Sequence, residues 1–557
     1  MQLTTSAGLE DSPTWSPDGR SVAYASDAAG NLDIYVRDIG AGHTIRITDF
    51  DADDAQPAWS PDGTRIAFVS ARASAEKRLS GLINVDPRQP FFVGRNGDIW
   101  VMPALGGAAR LLVKNAFYPA WSPDGKEIVY AAAALREERW ELRIQEVDGS
   151  REPRVLILGS MTAAGVTQPA WSPDGKWIAF TAGWHEKLQI YTVPSHGGEP
   201  SALNAGGSYA LMPSWSPDGR GLFFTSDRGG GLNVWRVEFG DGRFGAPVEV
   251  TAGSGADLQA RPSPDGKRLV FSSVREDLDL WQHELKSRET TRISSETTHE
   301  DNARLSPDGV WLAFGSNRSG GNHLWLLNRR TGTHTQVSTA SQPAVQIASS
   351  WAPDGKHLFF AQYSGLPKHK TIWRYAVASG GLENVYDGPL VGPGILCISP
   401  DNRWLVVARD EPFLDIAHIE LSSKKTDVLH RPAAGLPSDP ACSPDGRWVA
   451  FHLVGQGSDR KIWLVPAAGG QGRQLTHSVN EDSHATWSAD SQIVYFVRNH
   501  QNIYRVPAAG GEAQPVTDYR AFTTIVDNPT VAADGQRLIF TRHDKVGDLY
   551  VVEYPHQ

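Results

Sequence analysis

The chain is poor in cysteine, in methionine and in long apolar segments. It has 557 residues with 2 Cys and 4 Met, and no segment approaches the roughly 18 apolar residues of a membrane-spanning helix. No helical periodicity stands out either, so the pattern argues against an α-helical fold. The formal net charge of -10 at pH 7 disfavours nucleic acid as a partner, because nucleic-acid binding depends on neutralising phosphates with Lys and Arg.

What the chain has instead is one short motif, repeated along its whole length. Trp-Ser-Pro-Asp-Gly occurs five times without change, starting at residues 15, 59, 121, 171 and 215. Altered copies start at residues 262, 305, 351, 398, 442, 487 and 531. A period of about 40 to 50 residues is typical of propellers, solenoids and repeat arrays.

Each repeat contains signals for four short strands. In the motif, Pro fixes φ, Asp bonds to its own backbone and Gly accepts a positive φ, which together predict a hairpin turn between a first and a second strand. A third strand follows, for example residues 33–36, and a Gly-rich turn then leads to a fourth strand. Four antiparallel strands make one propeller blade. The sequence therefore predicts an all-β fold of twelve four-stranded antiparallel blades.

The two chain ends predict how the blades close. The twelfth repeat stops at Gln557 after its third strand, and residues 2–4 carry the pattern of a fourth strand ahead of the first motif. Because ordinary propellers have four to eight blades, we expect two six-bladed β-propellers in tandem, in domains 1–288 and 289–557. Residues 2–4 would complete the sixth blade and residues 292–294 the twelfth. A seven-plus-five division and a single large ring also fit the spacing.

The two cysteines, Cys397 and Cys442, occupy neighbouring offsets of the first strands of the ninth and tenth blades. Adjacent side chains of a strand point to opposite faces. We therefore expect no disulfide between them, and we expect stability to come from aromatic and β-branched side chains packed between blades.

The repeat, with its segments Asp-Ile-(Tyr/Trp)-Val and Gly-Gly-x-x-x-x-Leu-Thr, resembles the TolB-type propeller repeat over practically the whole chain. The resemblance implies a β-propeller of the class shared by periplasmic TolB, the tricorn protease propellers, the propellers of prolyl-oligopeptidase-type peptidases and sensory regions of bacterial kinases. It implies no single activity, since fold does not determine function. We expect a protein or peptide partner. It also implies a periplasmic location if a signal was removed, whereas Met1 followed by a polar strand indicates the cytoplasm.

The catalytic motifs in the sequence are incomplete. Residues 206–210 come nearest to the Gly-x-Ser-x-Gly elbow of a hydrolase but lack the last Gly. His185 and His299 each precede a Glu, but the second His of the zinc helix motif is missing. We expect a non-catalytic scaffold that binds a protein, peptide or small ligand at a propeller face. The alternatives are a metal-assisted carbohydrate lyase or hydrolase, and a sensory or accessory module of a kinase, regulator or peptidase system.

The first candidate site consists of acidic and His residues just ahead of the first strands, where the entering loops open at one end of a propeller channel. The candidates are Glu10, Asp11, Asp53, Asp54, His299, Glu300, Asp301, Glu481, Asp482, His484 and Asp527. Converging carboxylates suit Ca²⁺ or another divalent cation, or a basic peptide segment. No other cofactor is expected. Alternatively, each Asp caps its own loop through local backbone bonds.

The second candidate site is an insertion in the second blade, residues 73–96. It contains Arg88, Phe91, Phe92 and Arg95. A basic and aromatic loop on a rigid scaffold is typical of a recognition element, and we expect it on the same face as the channel mouth. The alternative is a loop that folds over the blade and buries its own Phe side chains.

Overall fold

The computed structural model shows an all-β protein. It describes the chain apart from residues 6–7, 75–78, 80–96, 134–139, 158–165, 185–186, 204–208, 241, 254, 295–297, 320–322, 338–344, 364–369, 389, 391–395, 410–411, 456–459, 520–523, 533 and 555–557. The described residues form strands and turns and contain no helix. They accordingly offer no apolar helix of membrane-spanning length.

The chain forms two compact units. Unit 1 comprises Met1–Glu276, Ala521–Thr523 and Lys545–Gln557, and unit 2 comprises Asp277–Arg520 and Thr524–Asp544. Each unit contains six four-stranded antiparallel blades, which confirms the predicted fold class. The division into domains 1–288 and 289–557 stays a prediction.

Five blades of unit 1 are built from strands that are consecutive in the chain. Their strands are β1 (Glu10–Trp15), β2 (Ser21–Ser26), β3 (Asp33–Asp38), β4 (Thr44–Arg46), β5 (Asp54–Trp59), β6 (Arg65–Ser70), β7 (Asp98–Pro103), β8 (Arg110–Val113), β9 (Ala116–Trp121), β10 (Glu127–Ala133), β11 (Trp140–Glu146), β12 (Arg154–Ile157), β13 (Val166–Trp171), β14 (Trp177–Trp184), β15 (Lys187–Pro194), β16 (Ser201–Ala202), β17 (Ala210–Trp215), β18 (Gly221–Ser226), β19 (Asn233–Gly240), β20 (Arg243–Phe244) and β21 (Val248–Glu249). Within each blade the strands pair in chain order, with β20 and β21 both pairing β19.

Unit 2 repeats this plan with five blades of consecutive strands. The remaining strands of the chain are β22 (Ala256–Pro262), β23 (Arg268–Glu284), β24 (Thr290–Arg292), β25 (Glu300–Leu305), β26 (Trp311–Ser316), β27 (His323–Asn328), β28 (Thr333–Gln336), β29 (Val345–Trp351), β30 (His357–Tyr363), β31 (Lys370–Ala376), β32 (Leu382–Gly388), β33 (Leu396–Ile398), β34 (Trp404–Arg409), β35 (Asp415–Glu420), β36 (Thr426–His430), β37 (Leu436–Cys442), β38 (Trp448–Val454), β39 (Arg460–Pro466), β40 (Arg473–Gln474), β41 (Asp482–Trp487), β42 (Ile493–Arg498), β43 (Asn502–Pro507), β44 (Gln514–Pro515), β45 (Thr524–Val531) and β46 (Arg537–Glu553). Strands β25 to β44 supply the five consecutive blades, four strands at a time.

The sixth blade of unit 1 draws its strands from distant parts of the sequence. Its first two strands are β22 and the first half of β23, and its third is the second half of β46. Phe271 of β23 stacks on Tyr550 of β46, with ring centroids 5.9 Å apart. Gln2 bridges to Tyr550 and the Leu3 N–H donates to the Leu549 carbonyl at 2.6 Å. Residues 2–4 therefore complete this blade, as the chain ends predict.

The sixth blade of unit 2 is the counterpart. It consists of β45, the first half of β46, the second half of β23, and β24, in which Arg292 pairs with Trp281. The third strands of the two blades are thus exchanged relative to the sequence-based prediction, in which each repeat keeps its own third strand. The physical reason is that β23 and β46 each run on through 17 residues without turning back.

The recurring turn is held by Ser and Asp side chains in ten of the twelve blades. In the first blade, Ser16 Oγ donates to Asp18 Oδ1 at 2.5 Å and accepts from the Ser21 N–H at 3.0 Å. Asp18 Oδ1 also accepts from the Arg20 N–H, and Gly19 takes a φ of 69°. The Ser16 and backbone hydrogen bonds lower the pKa of Asp18. These local bonds explain why Ser-Pro-Asp-Gly recurs at the turn between first and second strands.

The motif Trp joins neighbouring blades. Trp121 Nε1 donates to the Ala58 carbonyl of the preceding blade at 2.9 Å, and Trp15 Nε1 donates to the Arg261 carbonyl at 3.0 Å, which links the first blade of unit 1 to the sixth. The first strands β1, β5, β9, β13, β17 and β22 contact one another in a closed cycle, and so do β25, β29, β33, β37, β41 and β45. Each unit is therefore a closed six-bladed ring, an arrangement that leaves only short sheet edges.

Replacing Trp215 with Phe is expected to cost about 1 kcal/mol more unfolding free energy than replacing Trp171 with Phe, because a buried hydrogen bond is worth about that much. Trp215 Nε1 donates to the Ala170 carbonyl at 3.0 Å, whereas Trp171 Nε1 has no hydrogen-bond partner among the described residues. Urea titration of both variants measures the difference. Equal losses would show that these interblade hydrogen bonds contribute nothing net.

Every first strand of unit 1 carries a β-bulge with a residue at positive φ. These bulge residues are Ser12, Gln56, Tyr118, Gln168, Met212 and Gln259, with φ between 53° and 60°. Described bulge residues of unit 2 are Asn302, Asp439, His484 and Asn528. Non-glycine residues in this region carry a conformational cost and are concentrated at functional sites. The bulged part of each first strand is therefore a candidate position for a functional site.

Cys397 and Cys442 form a disulfide, so the prediction of two free thiols is wrong. Opposite faces of a strand point to the preceding and to the following blade. Cys442 occupies the position of the motif Trp in its blade. The side chain at this position contacts the preceding blade at the residue just before that blade's own motif, as Trp121 contacts Ala58. Cys397 is that residue in the preceding blade. The side chains that meet between two blades therefore come from opposite faces of consecutive first strands.

Candidate functional site

Imidazole and carboxylate groups of unit 2 form a continuous row, here called the His–Asp row. Its members in order are His452, Asp439, His484, Asp527 and His500. Asp439 Oδ2 lies 3.3 Å from His452 Nδ1 and 3.4 Å from His484 Nε2. Asp527 Oδ1 lies 3.5 Å from His484 Nδ1 and 3.0 Å from His500 Nδ1. The row contains two residues that the sequence places at a channel mouth, His484 and Asp527.

The bulges of neighbouring first strands bring the row together. Asp439 and His484 are the bulge residues of β37 and β41, and Asp527 immediately precedes the bulge residue of β45. His452 lies in the second strand β38, and His500 follows β42. Strands β37, β41 and β45 contact in sequence around the ring. The bulge residues of two adjacent blades and the residue before the bulge of a third therefore supply the core of the row.

Two arginines lie beside the row, and one of them determines which nitrogen of His500 carries its proton. Arg460 Nη1 lies 2.8 Å from His500 Nε2, and because arginine only donates, His500 Nε2 accepts and its Nδ1–H donates to Asp527. Arg304 Nη1 donates to the carbonyls of Ala303 and Asn528, at 3.0 and 3.2 Å. The Asp439 carboxylate acts favourably on the Arg304 charge. Asp439 thus has Arg304 as a countercharge, and Arg460 is joined to Asp527 through His500.

Burial shapes the titration of the row. It lowers the pKa of His452 to about 4, although Asp439 opposes this effect, and it lowers the pKa of His484. Burial by itself would raise the pKa of Asp527, but His500, His484 and His543 outweigh it and hold that pKa far below the usual range. Near neutral pH the Asp527 carboxylate is therefore ionised, and His452 and His484 are neutral.

Acidification is expected to destabilise unit 2 through His452. Its folded pKa of about 4 lies below the unfolded value of about 6.5, so its contribution is complete above pH 6.5 and is lost as the pH falls towards 4. At pH 5 this amounts to roughly 2 kcal/mol. Urea unfolding at pH 7 and pH 5 measures the loss, and His452→Gln should reduce it by about that amount. The exposed His43 of unit 1 supplies the control His43→Gln, and an equal effect of both variants would contradict the assignment.

One contact in the row resembles a nucleophile with its base. Ser483 Oγ lies 3.1 Å from His484 Nδ1, and His484 Nε2 lies 3.4 Å from Asp439. However, Ser483 is only 1% exposed, so no substrate carbonyl can approach its hydroxyl. Acyl transfer requires an accessible nucleophile beside its base, and this Ser–His pair does not provide one.

The inner bulges of unit 1 surround a different site. A cavity of about 50 Å³ is lined by all six bulge residues of that unit and by Arg261. Proline follows the bulge residue in five of its blades, at residues 13, 57, 119, 169 and 213. The walls carry amide and hydroxyl groups together with one guanidinium group. This is the channel cavity of unit 1.

Alternate blades supply Gln at the bulges of this cavity. The Oε1 atom of Gln56 accepts from the Tyr118 N–H at 2.8 Å, and that of Gln259 accepts from the Ser12 N–H at 2.5 Å. Gln168 Oε1 accepts from the Met212 N–H at 3.1 Å. Each Gln thereby satisfies the bulge amide of the following blade, which stabilises the closed ring.

Most other mouth candidates have local partners. Three carboxylates form salt bridges with an Arg of the same blade: Asp54 with Arg72, Glu300 with Arg318 and Asp482 with Arg498. Asp53 accepts backbone N–H groups from Leu32 and Leu79. Asp11 accepts from Ser12 Oγ and Gln259 Nε2. These five carboxylates thus have partners within the propeller, and their assignment to ligand binding stays a prediction.

The last four candidates lie at the entrances of first strands. Glu10 is buried and its carbonyl accepts from Ser272 Oγ, while Asp301 lies in β25. The backbone N–H groups of His299 and Glu481 donate to Asn317 and Asn499. The assignment of these residues to ligand binding stays a prediction.

The insertion residues Arg88, Phe91, Phe92 and Arg95 lie outside the described residues, so their role in recognition also stays a prediction. Sequence reasoning missed Arg261, His500 and Arg460. In the sequence, five of the channel-lining bulge positions of unit 1 can be recognised as the residue before Pro in a first strand.

The repeated blades, the motif turns and the bulged inner strands define a six-bladed propeller repeat protein. The family model of the TolB beta propeller domain matches residues 1–77, 111–279, 245–414 and 415–554. The chain belongs to this family.

Among curated proteins, the uncharacterised protein YidR of Escherichia coli K12 is 29% identical over 133 residues, which cover 23% of this chain and 31% of YidR. Dipeptidyl-peptidase 5 of Porphyromonas gingivalis is 25% identical over 187 residues, covering 30% of this chain and 26% of that protein. The chain thus spans about a third or less of the length of these relatives. The solved structure of a TolB-like protein from Agrobacterium tumefaciens matches 51% of this chain and all of its own, at 19% identity and a TM-score of 0.40.

Proposed function

We propose that this protein is a non-catalytic TolB-like propeller that binds a protein, peptide or small ligand at a propeller face. The observation that supports this most directly is the His–Asp row, because it gathers polar groups of three adjacent blades and holds Asp439, His484 and His500 at positive φ. Such strained positions persist where the surrounding structure holds them for function. We assign ligand binding in unit 2 to His484, His500 and Asp527, all of which retain partial exposure.

A second function, metal-assisted chemistry on carbohydrate, is favoured by one observation. Ligand atoms of His484, His500 and Asp527 lie within 4.8 Å of one another, and two imidazoles with a carboxylate suit Zn²⁺ and related cations. Against this, Arg460 donates to His500 Nε2, which places the proton of His500 on Nδ1, the atom that faces Asp527. A metal ligand must present a lone pair. In this arrangement His500 presents no free lone pair to a cation beside Asp527.

The two functions are separated by a titration of the dialysed protein with Zn²⁺ and with Mn²⁺, followed by an activity screen on glycans and peptides. We expect no stoichiometric metal binding and no turnover. In the same assays we expect saturable binding of one class of glycan or peptide, weakened at least tenfold by Asp527→Asn. The exposed carboxylate of Asp62 in unit 1 supplies the control Asp62→Asn. Stoichiometric metal with turnover would establish the enzyme instead.

A further inference from the structure

The cavity of unit 1 contains a cation without a countercharge. Arg261 is largely buried, and with the residues that the structure describes its guanidinium makes one hydrogen bond, from Nη1 to the Pro213 carbonyl at 3.2 Å. It forms no salt bridge with any carboxylate that the structure describes, and burial alone lowers its pKa to about 10. A buried charge without a partner is costly, and the exposed part of Arg261 lines the cavity.

Unit 2 provides an internal comparison, because Arg304 stands at the same offset of its first strand as Arg261. Arg304 Nη1 likewise donates to a carbonyl of the preceding blade, that of Asn528. Arg304, however, experiences the negative charge of Asp439, a bulge residue of its own ring. All six bulge residues of unit 1 are uncharged: Ser12, Gln56, Tyr118, Gln168, Met212 and Gln259. Unit 1 has the arginine and lacks the bulge carboxylate.

The remaining polar groups of the cavity also favour an anion. Gln168 Oε1 is occupied by Thr181 Oγ1 and the Met212 N–H, at 2.9 and 3.1 Å. Its amide nitrogen has no hydrogen-bond partner among the residues described, so it remains a donor. The nearest acid of the rim, Asp11, is held by Ser12 and Gln259. A guanidinium and an amide donor together match the two oxygens of a carboxylate.

The size of the cavity restricts the ligand. One water requires about 10 to 15 Å³ of such volume, so about 50 Å³ accommodates a few waters or a single carboxylate group. A folded segment or a sugar chain does not fit. The body of a larger ligand would have to lie outside the cavity, with only its acidic end inserted.

We propose that the channel cavity of unit 1 binds a carboxylate group, either the free C-terminus of a peptide or a small monocarboxylic acid, through the guanidinium of Arg261 and the amide of Gln168. This site is separate from the His–Asp row and holds whether or not that row binds a ligand.

Calorimetric titration of the full-length protein tests the proposal with three probes: acetate, tetra-alanine with a free C-terminus, and tetra-alanine amide. We expect the free peptide to bind at least 30-fold more tightly than its amide. Acetate binding as tightly as the free peptide would identify a small-acid site, and weaker acetate binding a peptide C-terminus. Arg261→Met should abolish binding and Arg261→Lys should weaken it about tenfold. The control Arg20→Met, at an exposed arginine of unit 1, should leave it unchanged.

Gln168→Glu is the second variant, which guards against misfolding of the arginine variants. It retains an acceptor for the Met212 N–H and places a carboxylate beside Arg261, so it should raise the melting temperature and block both acids. Equal binding of acid and amide, binding that survives Arg261→Met, or failure of both acids to bind the wild-type protein would overturn the proposal. Preference for inorganic phosphate over acetate would overturn the assignment to carboxylate.

Discussion

Deleting residues 1–5 is expected to lower the unfolding free energy of unit 1 by about 3 to 5 kcal/mol, which is the range for losing a buried Leu together with several hydrogen bonds. Leu3 is 5% exposed. The strand also receives and donates hydrogen bonds at Leu549 and Val551 of β46. Without it, the sixth blade of unit 1 has three strands and an open edge.

Hydrogen exchange read by mass spectrometry locates this loss. Protection should fall in residues 547–553, the strand that pairs with residues 2–4, and next in residues 268–274 of the same blade. Leu3→Ala is the milder control, since it removes the side chain and keeps the backbone pairing. Unchanged protection in residues 547–553 after the deletion would rule out the closure described here.

Reduction of the disulfide between Cys397 and Cys442 is expected to lower the unfolding free energy of unit 2 by about 4 kcal/mol. The two cysteines are 45 residues apart, and the chain-entropy relation gives this value for a loop of that length. The bond also joins neighbouring blades, so its loss weakens one interface of the closed ring. Urea unfolding with and without a reductant measures the effect.

The double variant Cys397→Ala with Cys442→Ala should reproduce the effect of reduction and should no longer respond to reductant. Unit 1 contains no cysteine and serves as the internal reference. A response of the wild-type protein confined to unit 1, or a thiol titration that finds two free thiols before reduction, would contradict the bond.

Much of the fold is predictable from the sequence because its determinants are local. Ser16, Asp18 and Gly19 make their turn through contacts within six residues, so the motif identifies each hairpin wherever it occurs. The same reasoning identifies twelve blades and the closing role of residues 2–4. It rests on no knowledge of which blades are neighbours.

The parts that sequence reasoning missed all depend on contacts between distant residues. The third strands of the two closing blades are exchanged because β23 and β46 continue straight. A repeat pattern does not show whether a strand turns back or continues. The disulfide depends on which strand faces meet across a blade interface. The lack of a bulge carboxylate near Arg261 can be recognised only from the structure, in which six bulges line one cavity. In the sequence Arg261 does not differ from other arginines.

The exchanged strands constrain the order of events during synthesis. The last strand that the first ring needs, the second half of β46, leaves the ribosome after all the other blades of the protein. The first ring therefore remains incomplete, without the third strand of its sixth blade, while more than two hundred further residues are made. Unsealed strand edges invite association with other chains. A nascent chain stalled before residue 545 should accordingly depend on chaperones more strongly than the finished protein does.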